Sequence, residues 1–440
     1  MNLSVFGLGK LGSPLAAVMA SKGYNVVGVD INQKFVDEIN AGRAPVAETR
    51  LQEFIDKSKS RLRATMDAEE AVLNSDFSFV IVPTPSDEAG RFSMKFALIT
   101  AETIGKALKK KDSFHVVVMT STVMPGDTEG EFIPALEKHS GKKCGVDFGV
   151  CYNPEFIALG SVVQDMLTPD FILIGEGEER SGKALAEIYQ NSCDNDPIVA
   201  RMNYVNAELT KISVNTFVTT KISYANMLAQ ICEQLPGADA VVVGNAIGCD
   251  SRIGKKYLRG AVSYGGPCFP RDNIAFSVMA RDLGVKPLIA EATDQMNAQQ
   301  NANLVAMAAR NCPDMGTIGV LGLSYKPNTS VVEKSAGVAV ANGLIEKGFV
   351  VNVFDPAAMG TSETLLDAKV KRSAGIEDCV QLADVILIAT AWDEFKLLPS
   401  IQLKQGGSRP VVIDCWHMME HTELSDQADM LFVGRGPSKR

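Results

Sequence analysis

The chain has 440 residues, 46% hydrophobic and 22% charged, with a formal net charge of −9. That length exceeds one ordinary core and implies two or three domains, and the acidic balance argues against broad nucleic-acid binding. No run of about 18 apolar residues marks a membrane span, and the nine cysteines form no C-x-x-C pair of a zinc ribbon. The first residues, MNLSVFGLGKLG, lack a basic leader region and turn glycine-rich at once. They read as a strand, so a cytosolic protein with no membrane or nucleic-acid partner is expected.

Residues 2–6, 25–30, 77–82 and 115–120 are short apolar runs that read as strands. Residues 11–22, 33–41 and 96–110 between them carry helical periodicity. Strand–helix alternation implies a parallel sheet covered on both faces. Runs at 148–151 and 171–175 extend the same domain. From Asn203 to Leu235 there is no Gly or Pro, and apolar residues recur at three and four, which predicts one long helix. Helical patterns continue over 238–247, 274–282 and 286–310. Strand-like runs then restart at 317–321, 350–354, 385–389 and 410–414. Gly319-Val-Leu-Gly322 faintly echoes Val5-Phe-Gly7-Leu-Gly9. The expected fold is α/β: two Rossmann-like, doubly wound parallel-sheet domains joined by a helical domain with a long central helix. The expected divisions are 1–200 for the first sheet domain, 201–311 for the helical domain and 312–440 for the second sheet domain. Residues 434–440 read as a disordered tail.

Gly7-Leu8-Gly9-Lys10-Leu11-Gly12 fits G-x-G-x-x-G between a strand and a helix, and Asp30 closes the next strand 18 residues later. Gly7 permits the tight turn, Gly9 lets backbone N–H groups approach a pyrophosphate, and Gly12 allows close helix–strand packing. The helix N-terminus then faces the phosphate charge. Asp30 suits ribose hydroxyls and would repel a 2′-phosphate, which favours NAD over NADP. Gly7, Gly9, Leu11, Gly12 and Asp30 are therefore the expected cofactor contacts. Pro83-Thr84-Pro85 and Ser121-Thr122 each follow a strand, where ligands of such sheets bind, so Pro83, Thr84 and Thr122 join them.

Ser263-Tyr-Gly-Gly-Pro-Cys268-Phe-Pro-Arg-Asp272 is the most unusual stretch. Two glycines and two prolines fix a single cysteine in a turn, with a helix starting near Asp272. A helix N-terminus lowers a thiol pKa and makes thiolate available, so Cys268 is a candidate nucleophile.

That stretch resembles the catalytic loop of the UDP-glucose/GDP-mannose dehydrogenase family. Ser121-Thr122-Val123, Asn153-Pro154-Glu155-Phe156 and Asn206-Ala-Glu-Leu-Thr-Lys211-Ile-Ser-Val-Asn215 resemble further motifs of that family in the same order. So do Asp250-Ser-Arg252-Ile-Gly254 and Gly322-Leu-Ser-Tyr-Lys326, and the resemblance runs from residue 1 to about residue 415. It implies an NAD-dependent four-electron oxidation of a nucleotide-sugar C6 alcohol to the uronate, through a Cys268 thiohemiacetal and thioester. It further implies that Lys211, Asn215 and Asp272 hold water and stabilise oxyanions, that Glu155 is a general base, and that Thr122 positions water or alkoxide. Substrate contacts are implied for Glu155, Phe156, Lys211, Asn215, Arg252, Tyr257, Arg259, Tyr264, Gly265 and Lys326, with Arg252 offered across a dimer interface. The family habit and the long apolar helix together imply a homodimer packed through that helix.

Several positions depart from the family's common pattern. Ile157-Ala-Leu-Gly160 lacks a basic residue before the glycine, Val331 and Glu333 stand where Asp and Arg are common, and Pro267 replaces a usual Ser. Asp414-Cys-Trp-His417 stands where an Arg that binds nucleotide phosphate is often found. These positions bear on substrate contacts, so UDP-glucose, GDP-mannose, UDP-GlcNAc and UDP-ManNAc stay open. Two other readings are a two-electron hydroxyacid or polyol-phosphate dehydrogenase of similar architecture, and a non-catalytic NAD-binding protein. His417-Met-Met-Glu420-His421 fits H-x-x-E-H, but no third ligand with the right setting follows it, so no metal site is expected.

Overall fold

The computed structural model describes residues 1–404 and 408–438. The chain divides into two units, Met1–Ser213 and Val214–Arg440. The first is built on strands β1 (Asn2–Phe6), β2 (Asn25–Val29), β3 (Leu62–Thr65), β4 (Phe77–Val80), β5 (Val116–Met119), β6 (Gly149–Tyr152), β7 (Phe171–Glu176) and β8 (Ile198–Met202). They form one sheet in the order β3-β2-β1-β4-β5-β6-β7-β8. The first six are parallel, as the strand–helix alternation predicts. β7 then pairs with β6 antiparallel, with Tyr152 opposite Gly175.

The central strands are buried on both faces, which explains why they read as largely apolar runs, with the buried hydroxyls of Ser4 and Ser78 bonded to each other at 2.7 Å. Helices Gly12–Ser21, Leu51–Ser58 and Val162–Leu167 cover one face, and Ala68–Leu73, Lys95–Leu108 and Ile133–Ser140 cover the other. Each aliphatic side chain fully buried there stabilises the fold by about 1.5–3 kcal/mol.

The predicted long helix runs from Tyr204 to Gln234. Asn203 caps it, its Oδ1 accepting the Asn206 N–H at 3.1 Å. Pro236 and Gly237 follow its end. Helices Ala240–Ile247, Phe269–Asp282 and Leu288–Arg310 come next. The third of these four segments begins five residues before its predicted start. Pro270 occupies the first turn of that helix, where a missing N–H costs nothing.

The second unit carries strands β9 (Thr317–Leu321), β10 (Val350–Phe354), β11 (Lys371–Arg372), β12 (Val385–Ile388), β13 (Val411–Asp414) and β14 (Asp429–Phe432). They are all parallel, in the order β11-β10-β9-β12-β13-β14. This is the strand order of β1 to β6 repeated, so the faint sequence echo marks a real structural repeat. Gly322 has φ 104° and its N–H bonds Phe354 O at 2.8 Å, as Gly7, with φ 96°, bonds Val29 O at 2.8 Å.

The expected disordered tail is a correction. Arg435 forms a bridge with Asp239, Gly436 N–H bonds Ala238 O at 2.9 Å, and Gly237 N–H bonds Pro437 O at 2.8 Å. A Cβ on Gly436 would lie 2.0 Å from Leu235 O, so this segment is held by backbone bonds and close approach rather than by apolar side chains. Residues 439–440 lie outside the described residues.

Candidate active site

The glycine loop separates three roles. A Cβ on Gly7 would lie 2.2 Å from Ile81 O, and one on Gly12 would lie 1.7 Å from Gly7 O. The protein's own packing therefore demands both glycines. A Cβ on Gly9 would meet nothing within 4 Å, so no contact within the protein demands that glycine. Gly9 lies three residues before the Gly12–Ser21 helix, whose N-terminus is the kind of place where phosphate charge is favoured. Leu11 is the residue preceding that helix and is partly buried. Asp30 Oδ2 accepts the Leu8 N–H at 2.6 Å and Oδ1 accepts the Asn32 N–H at 2.8 Å, so the carboxylate is fixed at the end of β2. Two strands away, Thr84 Oγ1 donates to Thr122 O at 2.8 Å, and Ser121 Oγ donates to Val82 O at 2.6 Å. These bonds tie the Pro83–Thr84 loop to the Thr122 loop; Thr84 is buried and Pro83 exposed.

Glu155, Phe156 and Lys211 come together in the first unit. Lys211 Nζ donates to Glu155 O at 2.5 Å and lies 4.5 Å from the Phe156 ring centroid. A buried ammonium beside an aromatic face and a carbonyl is not the solvated cation that a helix lysine usually is. Burial pushes the Glu155 carboxyl up to about 7, against the lowering pull of Tyr189 and Lys211. The Tyr189 hydroxyl lies 3.2 Å from Glu155 Oε1 and 2.5 Å from Asn153 Oδ1. A carboxyl tuned near neutrality is suited to proton transfer.

In the second unit, Cys268 is exposed, without a disulfide, at the N-terminal boundary of the Phe269–Asp282 helix. Asp272, one turn in, is 1% exposed and receives the Asn215 Nδ2 donor at 2.6 Å. Its own N–H bonds Cys268 O at 2.8 Å. The loop before Cys268 is set by close approach. A Cβ on Gly265 would lie 2.4 Å from Lys334 O, and one on Gly266, with φ 84°, would lie 2.6 Å from the Tyr325 ring. Lys326 sits in that neighbouring loop, partly buried. Tyr264 is buried, its hydroxyl on Asp294 at 2.5 Å and its N–H on Asn297 Oδ1 at 2.7 Å. Tyr257, with φ 65°, stands edge-on to the Phe269 ring at 6.3 Å. Arg259 donates to Trp416 O. Arg252 is exposed and paired with Asp250 of its own loop at 2.6 Å.

Sequence reasoning missed Tyr189, Asp294 and Asn297, each a lone polar residue on a helix with no motif around it. In the H-x-x-E-H stretch, Glu420 pairs with Arg435 at 2.5 Å and His417 Nε2 lies 2.8 Å from Val433 O. Among the described residues no group of three His, Cys, Asp or Glu side chains could hold a metal ion. No helix among them is long and apolar enough to cross a membrane.

Residues 1–193, 205–299 and 319–421 match, in turn, the NAD binding, central and UDP binding domains of the UDP-glucose/GDP-mannose dehydrogenase family. The chain belongs to that family. It is 37% identical over 403 residues to UDP-glucose 6-dehydrogenase AglM of Haloferax volcanii, covering 90% of this chain and 93% of that one. It is 31% identical over 437 residues to the GDP-mannose 6-dehydrogenase of Pseudomonas aeruginosa, covering 96% and 98%. A UDP-glucose dehydrogenase structure from Pyrobaculum islandicum superposes with a TM-score of 0.87 at 34% identity, covering 99% and 98% of the two chains. The chain is thus a nucleotide-sugar 6-dehydrogenase, an oxidoreductase using NAD, and strands β10 to β13 lie within the stretch that matches the UDP binding domain. In that second sheet Asp355 stands where Asp30 stands in the first, but it is buried and accepts from Leu323 N, Ser324 N and Trp392 Nε1. The Leu323 bond repeats the Leu8 bond of Asp30, whereas the added Ser324 and Trp392 donors occupy the Asp355 carboxylate further.

Proposed function

We propose that this enzyme oxidises the C6 alcohol of a nucleotide sugar to the carboxylate, with Cys268 as covalent nucleophile. The observation that carries the reading is Cys268 exposed at a helix start, with Asp272 buried one turn on and bonded to Asn215. The Gly7–Gly12 loop and Asp30 would hold NAD, which would supply the hydride acceptor for each of two oxidations. Cys268 Sγ adds to the C6 aldehyde, giving a thiohemiacetal, and its oxidation leaves a thioester. Water cleaves the C–S bond, supplies the second carboxylate oxygen and returns the thiolate. Glu155 is the general base for that water, and Thr122 positions it. Lys211 and Asn215, one helical turn apart, donate to the developing oxyanion. Phe156, Tyr257, Tyr264 and Gly265 line the sugar, while Arg259 and Lys326 meet its diphosphate, and Arg252 serves a partner subunit.

Residues 1–200, 201–311 and 312–440 are assigned to cofactor binding, the helical centre and nucleotide binding. UDP-glucose is the first sugar to test, since relatives at 37% and 34% identity carry that name. The test is NADH formed per mole of UDP-glucose, GDP-mannose, UDP-GlcNAc and UDP-ManNAc. Two NADH from one sugar is the expected result; one NADH would favour a two-electron dehydrogenase.

A further inference from the structure

The long helix carries a buried carboxylate that the chemistry above does not use. Glu208 lies one turn before Lys211 and is fully buried. Its Oε2 accepts the Gly126 N–H at 2.6 Å and its Oε1 accepts the Thr128 N–H at 2.9 Å. Burial holds its pKa above the ordinary carboxylate value, so its place in the interior depends on those two donors. An apolar residue there would leave two turn N–H groups unpaired.

Those bonds fasten one end of the loop that carries Thr122. The other end is fastened at Ser121, whose Oγ accepts the Val82 N–H at 3.0 Å and donates to Val82 O at 2.6 Å. Between them, Asp127 Oδ2 accepts the Met124 N–H at 2.9 Å, and Gly126 turns the chain with φ 102°. Met119 of β5 is the register partner of Tyr152 of β6. Thr122 and Glu155 each lie three residues beyond that pair, so they leave neighbouring strands side by side. The Lys211 amine is already bonded to Glu155 O. Glu208 is therefore the joint between the helix that carries Lys211 and the loop that carries Thr122.

We infer that Glu208 is a positioning residue, which fixes the Thr122 loop against the long helix and so sets the Thr122 hydroxyl relative to the Lys211 amine and the Glu155 carboxylate. The inference rests on the role given to Thr122 above. Glu208→Gln keeps the side chain's size but turns one acceptor toward an N–H as a donor. It should lower kcat by about tenfold, with the KM for nucleotide sugar and for NAD within about twofold, because a loop displaced by a fraction of an ångström disturbs alignment more than binding. In a Thr122→Ala background the same change should alter kcat by less than about twofold, because both act through one group. Gly126→Ala adds a Cβ that meets nothing within 4 Å but strains the left-handed turn. It should show the same coupling to Thr122→Ala, and it carries the test alone if Glu208→Gln does not fold. Wild-type kcat in Glu208→Gln, or losses that multiply with those of Thr122→Ala, would overturn the inference. A Thr122→Ala enzyme with unchanged kcat would instead remove the role of Thr122, and this inference with it.

Discussion

The Asn215 amide donates to the buried carboxylate of Asp272 at 2.6 Å, joining the long helix to the helix that starts at Cys268. Asp272 is buried with a second donor facing it, Arg271 Nε at 3.4 Å. Asp272→Asn removes the charge with little change of shape. Its kcat should fall by roughly 100-fold, with nucleotide-sugar binding by calorimetry little changed, because Asn215, the proposed oxyanion donor, loses the charged acceptor that orients it. Near wild-type turnover would mean that Asp272 is only structural.

Gly9 and Gly12 should respond in opposite ways to a methyl group. Gly12→Ala would place Cβ 1.7 Å from Gly7 O, so the first unit must shift and its melting temperature should drop. Gly9→Ala meets nothing within 4 Å and should melt as the wild type does without NAD. Its NAD affinity should nonetheless fall by about tenfold or more as backbone approach to the pyrophosphate is blocked. Thermal melts and NAD titrations of the two variants separate packing from binding.

Glu155 sets a pH dependence in both activity and stability. As the proposed base it would work ionised, so kcat should rise with pH through an apparent pKa near the value of about 7. Tyr189→Phe removes a hydrogen bond that lowers this pKa, and the acid limb should move upward. For stability the folded pKa lies above the ordinary value of 4.5, so the native state holds the extra proton. That contribution is complete below 4.5 and is lost as pH rises through about 7. Urea unfolding of Glu155→Gln across that window should show a smaller decline than the wild type.

Phe217, Tyr224 and Ile231 recur at every seventh residue of the long helix, and all three are exposed. A repeat of seven places them on one stripe, beside exposed Met227. The proposed homodimer would cover it. Phe217→Asp should shift sedimentation at micromolar concentration from dimer toward monomer, whereas a monomeric wild type would remove the proposal.

What was legible in the sequence follows from local pattern. Central strands buried on both faces read as apolar runs, and the absence of Gly and Pro marked the long helix to within a residue at each end. The Cys268 turn stood out because Gly265, Gly266, Pro267 and Pro270 constrain a short stretch together. Pro270 also misled, since it reads as a breaker yet lies in the first helical turn. Edge strands were missed because they bury little: β3 alternates and Ile198 of β8 is 76% exposed. The antiparallel β6–β7 pairing was invisible, because direction depends on the partner and not on the strand. Tyr189 and Asp294 escaped for a similar reason, as their partners lie 34 and 30 residues away.

The central claim is covalent catalysis by Cys268, and the most direct measurement is the mass of the protein quenched in acid during turnover with nucleotide sugar and NAD. An added nucleotide-sugar acyl group on the Cys268 peptide is the predicted result, more abundant in Glu155→Gln, where hydrolysis is slowed, and absent from Cys268→Ser. A Cys268→Ser enzyme that releases the uronate with two NADH, or a wild type that turns over with no adduct on Cys268, would contradict the account.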